Sequence, residues 1–218
     1  MASRLGLEDE TDFYPTPPWG ARAGAEFVRR LDPAARSVWE PACGALHMAH
    51  GLRDYFPTVL LSDAYRYGPG YPLFDFRSNA APPHRAGWIM TNPPFMDLMQ
   101  FIRMAYARAE RGVALLMRAG VMEGINRYPL LYAGGECPLT IFAPFSERLP
   151  MHRGRWEEDG STATFYAWFI WLKPVLRPRR FMVHMDGQWW PSTIPIAPGA
   201  RKRLTRPSDA AYAVREAA

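Results

Sequence analysis

The run from Gly112 to Arg118, GVALLMR, constrains the fold more than any other stretch of the chain. Its apolar residues are consecutive rather than alternate, so a strand built from it must be covered on both faces. Such a strand belongs inside a sheet that carries helices on each side, which is an α/β arrangement. Residues 163–172, ATFYAWFIWL, are aromatic at both parities and require the same double burial. Shorter segments alternate around these two runs. The pattern predicts a helix over 19–31 with Phe27, Val28 and Leu31 on its apolar side, a strand over 37–42 and a helix over 46–56. It then predicts a strand over 58–62 ending at Asp63, the remnant of a short third strand at Asp75-Phe76, and a strand over 87–91. A helix over 96–111, another near 127–133 and a strand over 139–143 complete the series. The expected architecture is one mostly parallel sheet of about seven strands with helices on both faces.

The character of the chain changes after Pro174. Residues 180–192 read as a hairpin around Asp186-Gly187, a strong turn signal. Residues 195–207 read as an irregular basic extension. The expected division is therefore a main domain over 1–173 and a basic appendage over 174–218. That appendage holds eight lysines and arginines against three acids, which accounts for the whole net charge of +5. A basic segment of this kind suits a phosphate backbone, or serves simply as a solvated tail. Almost all of the positive charge is arginine, with lysine only at 173 and 202. Arginine favours bidentate phosphate contacts.

Several function classes are disfavoured. The N-terminal residues contain no apolar core of a signal peptide, and no run approaches the length of a membrane helix, so the expectation is a cytoplasmic protein that binds no membrane. Cys43 and Cys137 form no CxxC pair, and the one close histidine pair, His47 and His50, reads as a helix surface. No metal is expected.

The chemistry is concentrated in Asn92-Pro93-Pro94-Phe95, directly after the strand over 87–91. One reading is a proline-rich turn closing that strand. The other is catalytic. An amino group on an aromatic ring is a poor nucleophile because its lone pair is delocalised. Two acceptors aimed at its N–H groups draw the nitrogen toward tetrahedral geometry and free the pair. The Asn92 side-chain oxygen and the Pro93 carbonyl can supply those acceptors, and paired prolines hold the loop stiff before substrate arrives. Phe95 offers a face on which an extruded base can stack.

These residues resemble the amino-group DNA methyltransferases, especially the compact N6-adenine enzymes of phages and prophages. Asn92 to Phe95 match that family's D/N/S-P-P-aromatic tetrapeptide residue for residue, and the resemblance extends over nearly the whole chain. It implies a Rossmann-like class I methyltransferase fold and S-adenosylmethionine as cofactor. Asp12 to Trp19, DFYPTPPW, resembles the family's N-terminal motif near the methionine end of the cofactor, which implies contacts from Tyr14 and Thr16. Glu40-Pro41-Ala42-Cys43-Gly44 resembles the cofactor turn after the first strand, implying cofactor-binding roles for Glu40, Pro41, Ala42 and Gly44. Asp63 stands where the family binds the ribose hydroxyls, and Asp75-Phe76 where it reads the cofactor's adenine. The implied reaction takes an adenine flipped out of DNA, stacks it on Phe95 and engages its N6 hydrogens with Asn92 and Pro93. No covalent intermediate is involved.

One position departs from the family. A second glycine usually follows Gly44 by two residues, and here Leu46 stands instead. Its side chain is expected either to crowd the methionine moiety or to shift the loop. Cytosine-C5 chemistry is disfavoured, since neither cysteine follows a proline in the expected place. Tyr65, Tyr67 and Tyr71 read as loop packing, and Arg148, Arg153 and Arg155 as candidate phosphate contacts. No interval between motifs has room for a large recognition insert, so a short or relaxed target site is expected, with residues 120–165 and the basic tail touching DNA. The same tetrapeptide serves N4-cytosine, RNA-base and protein-glutamine methyltransferases. A degenerate, non-catalytic DNA-binding module is the further alternative. The YPTP motif and the basic tail favour DNA.

Overall fold

The computed structural model describes residues 13–132 and 134–213. Its strands are β1 (Ser37–Glu40), β2 (Thr58–Leu61), β3 (Trp88–Thr91), β4 (Gly112–Arg118), β5 (Ile141–Pro144), β6 (Tyr166–Leu172), β7 (Met182–Met185) and β8 (Gln188–Thr193). Helices are α1 (Pro18–Leu31), α2 (His47–Leu52), α3 (Leu98–Arg108), α4 (Tyr128–Leu131) and α5 (Ala200–Leu204). One sheet runs in the order β2-β1-β3-β4-β6-β5-β8-β7. Strands β1 to β4 are mutually parallel, and β6 runs antiparallel between β4 and β5.

The consecutive apolar residues of β4 feed two cores. Ala114 and Leu116 join Trp168 and Ile170 of β6 against Trp19 and Val28 of α1. Val113, Leu115 and Met117 join Phe169 and Trp171 against Phe101 and Ile102 of α3. The period-2 alternation of a strand thus serves both layers at once. Each large side chain fully buried in this way contributes about 1.5–3 kcal/mol. Helix α1 lies close on the sheet because Gly24 lacks a side chain: a Cβ there would stand 2.3 Å from the Trp168 indole. That indole donates its N–H to the Gly20 carbonyl at 3.1 Å.

Four details differ from the expectation. The sheet has eight strands rather than seven. The hairpin after Pro174 forms as its turn predicts, with Asp186 and Gly187 both at positive φ. It then joins the sheet, because β8 pairs parallel with β5 through Ile141↔Ser192 and Phe142↔Thr193. A third strand at Asp75-Phe76 does not form. Leu73 makes a single parallel bridge to Asp63 instead, and the Asp75 carboxylate accepts the Arg77 backbone N–H at 2.9 Å, turning the chain away. Residues 195–207 are not irregular throughout, since they contain α5. Arg203 within α5 forms a two-pronged ion pair with Glu26 of α1 at 2.6 and 2.8 Å. The buried Arg22 of α1 reaches Asp209 with two bonds of 2.7 Å. Among the described residues no helix is long and apolar enough to cross a membrane.

Candidate active site

Strand β1 has β2 on one side and β3 on the other, so the chain reverses its direction of progress across the sheet at this point. Open α/β sheets bind ligands in the crevice outside the carboxyl ends of strands at such a switch. A cleft of about 930 Å³, including space open to solvent, lies here. Glu40, Pro41, Ala42 and Gly44 line it from the turn after β1, and Asp63 from the end of β2. Asn92 and Pro94 line it from the loop after β3, and Tyr14 and Thr16 from the segment before α1. Asp75 and Phe76 complete the wall. Residues spread over 80 positions of sequence are thereby brought to one place. Asp12 lies outside the described residues.

The turn after β1 is held by Asp63. Its Oδ2 accepts the Gly44 N–H at 2.8 Å, and its Oδ1 accepts the Tyr65 N–H at 2.9 Å. Gly44 has φ +49°, and a Cβ on it would stand 2.6 Å from the Phe13 ring, so glycine is required on both counts. Tyr71 braces the same turn by donating its hydroxyl to the Gly44 carbonyl at 3.2 Å. Leu46 has φ +70°, the left-handed region that glycine adopts without penalty. Leu46 is half-buried and is not among the residues that line the cleft. The missing glycine shows as backbone strain at the start of α2.

Burial dominates the titration of the acids. It pushes the Asp63 carboxyl up to about 6 against three backbone N–H bonds that favour its anion. The Glu40 carboxyl is fully enclosed and is held well above the usual carboxylate range by burial and by the charge of Asp63. Burial also pushes the His47 imidazole down to about 4, so it is neutral near pH 7. Its Nε2 lies 3.0 Å from the Tyr212 carbonyl and must donate there, which leaves Nδ1 as an acceptor. The sequence placed His47 on a helix surface; it lines the cleft instead.

Four side-chain atoms on cleft-lining residues are buried without a hydrogen-bond partner among the described residues: Thr16 Oγ1, Glu40 Oε2, His47 Nδ1 and Asn92 Oδ1. Buried polar atoms are rarely left unpaired, so a cluster of them calls for a ligand. His47 Nδ1 and Asn92 Oδ1 are acceptors as they stand, and Glu40 Oε2, held toward its neutral form by burial, becomes a full acceptor only beside a group that favours its anion. The cleft therefore fits a molecule rich in N–H groups or positive charge.

Within the tetrapeptide, the Asn92 Nδ2 donates to the Tyr14 carbonyl at 2.8 Å. This fixes the amide with its oxygen as a free acceptor. Pro93 is buried and Pro94 borders the cleft. Phe95 is not among the cleft-lining residues and turns to a neighbouring depression. The Arg118 guanidinium lies 4.2 Å over its ring centroid, and the Tyr14 ring meets it edge-on at 5.6 Å. Phe76 packs into the core against Trp39 and Phe101 at 5.1 and 4.7 Å. Asp75 is exposed and pairs with Arg77, which also reaches Asp97 at 3.3 Å. Burial opposes ionisation of Asp75, but bonds from Arg77 outweigh it and hold its carboxyl below the usual range. Sequence reasoning did not single out Arg77, Phe13 or Arg118. Their roles depend on contacts across the fold rather than on any local motif. Of the arginines expected to meet phosphate, Arg155 pairs with Glu157 and Arg148 donates to the Ala163 carbonyl at 2.7 Å.

No family model and no curated protein sequence matches the chain. Among solved structures it is similar to the methyltransferase subunit of a type I restriction-modification system from Streptococcus thermophilus. That match has TM-score 0.54 and 11% identity, covering 88% of this chain and 52% of the other. It is also similar to a modification subunit of a candidate type I restriction enzyme from Vibrio vulnificus, with TM-score 0.52 and 14% identity over 90% and 51% of the two chains. A third is a candidate RNA methyltransferase from Pyrococcus horikoshii, with TM-score 0.52 and 13% identity over 73% and 86%. The chain spans about half the length of the two restriction-modification subunits. These likenesses identify the fold as the Rossmann-like fold of methyltransferases.

Proposed function

We propose that the chain is an S-adenosylmethionine-dependent methyltransferase acting on an amino nitrogen, with N6 of adenine in DNA as the target. One observation carries this reading. The Tyr14 carbonyl holds the Asn92 amide so that its Oδ1 stands buried and unpartnered, on the lip of a cleft lined by further unpartnered acceptors.

The cofactor's chemistry fits that set. S-adenosylmethionine carries a sulfonium, an α-ammonium and an adenine amino group, all of which seek acceptors or negative charge. Glu40 Oε2, His47 Nδ1 and Thr16 Oγ1 are the residues to hold its amino-acid end. Asp63 and Asp75 suit its hydroxyls and its adenine amino group, as in the family resemblance. When bound it supplies an electrophilic methyl group whose leaving group is neutral. Asn92 Oδ1, with the Pro93 carbonyl, accepts the N–H bonds of the substrate amine and localises the nitrogen lone pair. Preorganisation by the two prolines means that this polarisation costs little rearrangement at the moment of reaction.

DNA is favoured by the YPTP segment and by the likeness to two restriction-modification subunits. The tail contributes less than its charge implies, because Arg203 and Arg206 are engaged by Glu26 and Asp54. An RNA base is the second reading, favoured by the likeness that covers 86% of an RNA methyltransferase candidate.

The test is mass spectrometry of nucleosides after incubation with S-adenosylmethionine and unmethylated DNA or RNA, with Asn92→Ala in parallel. N6-methyladenine from DNA that disappears in the variant supports the reading. Methylation confined to RNA replaces the substrate, and no methylated base from either overturns the proposal.

A further inference from the structure

Beside the cleft lies a second, more open depression, lined by Phe95, Asp97, Arg103, Arg118 and Arg127 among others. Its position follows from strand register. Thr91 pairs with Leu115, so β3 ends at the catalytic loop while β4 continues three residues to Arg118. Arg118 therefore stands about 10 Å further along, beside Phe95.

The charges in this depression are unequally compensated. Glu136 neutralises Arg103 through bonds of 2.6 and 3.2 Å, and Arg77 engages Asp97. The Arg127 guanidinium donates to the carbonyls of Gly120 and Glu123, at 3.1 and 3.0 Å, which offset no charge. Arg118 is exposed and has neither a hydrogen bond nor an ion pair among the described residues. Its contacts are the Phe95 ring at 4.2 Å and the Tyr14 ring at 5.7 Å. A guanidinium held over an aromatic ring still has N–H donors to offer a bidentate oxyanion.

We infer that Arg118, with Arg127 behind it, forms a phosphodiester subsite that grips the nucleic-acid backbone next to the target nucleotide. This inference rests on the nucleic-acid reading above. A phosphodiester presents two non-bridging oxygens, which match the free fork of Arg118. Because the same guanidinium rests on Phe95, seating the backbone also fixes the aromatic member of the catalytic loop. Arg118 is a positioning residue in this scheme; its role is to place the nucleotide against the Asn92 acceptor.

The experiment measures methylation of a DNA duplex and of single-stranded DNA by wild type, Arg118→Ala and Arg118→Lys across a salt series. Calorimetric affinity for S-adenosylhomocysteine serves as the control for folding. Arg118→Ala should raise KM about tenfold and reduce the slope of log KM against log salt by about one. Arg118→Lys should restore the slope, and cofactor affinity should stay within twofold. A slower Arg118→Ala enzyme with an unchanged salt slope would overturn the subsite and leave Arg118 as a prop for Phe95. A wild type that methylates no nucleic acid removes the functional reading itself, and the subsite with it.

Discussion

The side-chain amide of Asn92 donates to the backbone carbonyl of Tyr14 at 2.8 Å, across 78 residues of sequence. This single bond orients the proposed catalytic acceptor before any substrate is present. It also ties the N-terminal segment to the loop after β3, a link that the edge-on Tyr14–Phe95 ring contact reinforces.

Asn92→Ala should therefore lower the single-turnover rate by about 100-fold or more, the scale on which loss of one preorganised polar group is felt. Asn92→Asp keeps an acceptor but sets a carboxylate against the Tyr14 carbonyl, and it should lose rate by a smaller factor. Tyr14→Phe keeps the carbonyl and should retain most of the activity. Equal rates for Asn92→Ala and wild type would remove Asn92 from the chemistry.

On the proposed reading, in which Asp63 holds the cofactor's hydroxyls, its raised pKa should make cofactor binding depend on pH. Burial holds its folded pKa near 6, above that of an unfolded aspartate. In the free protein the sign is destabilising as pH rises. Between about pH 4 and 6 the folded state binds the extra proton, so stability falls with rising pH across that window. A cofactor that donates to Asp63 favours its anion, so affinity should move the opposite way. Calorimetry with S-adenosylhomocysteine should show affinity falling by up to about tenfold per pH unit below 6. Asp63→Asn should flatten that profile, and an unaltered profile in the variant would assign the titration elsewhere.

Leu46 sits at φ +70° and is not among the cleft-lining residues. The left-handed conformation costs a residue with a Cβ about 1–2 kcal/mol, and a β-branched residue more. Leu46→Val should lower unfolding stability by more than about 1 kcal/mol. Leu46→Gly relieves the strain, loses a half-buried side chain and should leave stability within about 1 kcal/mol of wild type. Cofactor affinity of Leu46→Gly should change less than twofold; a large gain would mean that the leucine does obstruct the site.

The readable parts of the fold were those written in local pattern. Gly112 to Arg118 form β4 with the bounds that the apolar run predicts, because double burial leaves its mark on every residue of a strand. The cleft-lining residues were readable because the motifs fall at or just after the strand ends, Glu40 closing β1, Asp63 two residues past Leu61 of β2 and Asn92 directly after Thr91 of β3. The same logic explains the failures. Whether a hairpin joins the sheet depends on the partner edge of β5, which lies some 50 residues away. Arg118 reads as the polar end of a strand until the register shows it over Phe95. His47 becomes a cleft residue only through the fold, and the carbonyl that sets its tautomer lies 165 residues along the chain.

Arg22 shows the same dependence on distance and supplies the most direct stability test. Its side chain is fully buried and bonds Asp209 twice at 2.7 Å, Asp54 at 2.6 Å and the Leu204 carbonyl at 2.9 Å. Asp209 is equally buried. Burial alone would raise its carboxyl, yet the bonds from Arg22 and the Arg206 backbone hold it below the usual range. The stability it contributes is present above the unfolded pKa of about 4 and is lost as pH falls through the depressed folded value. Arg22→Ala strands that carboxylate without its partner and should cost about 3–5 kcal/mol in urea unfolding at pH 7. Replacing both residues by apolar ones of similar size, Arg22→Met with Asp209→Leu, should cost much less, since no buried charge is then orphaned. The C-terminal segment that Asp209 anchors also carries the Tyr212 carbonyl that orients His47. Arg22→Ala should thus weaken S-adenosylhomocysteine binding although Arg22 does not line the cleft. Full stability in Arg22→Ala would mean that this ion pair does not hold the C-terminal segment in place.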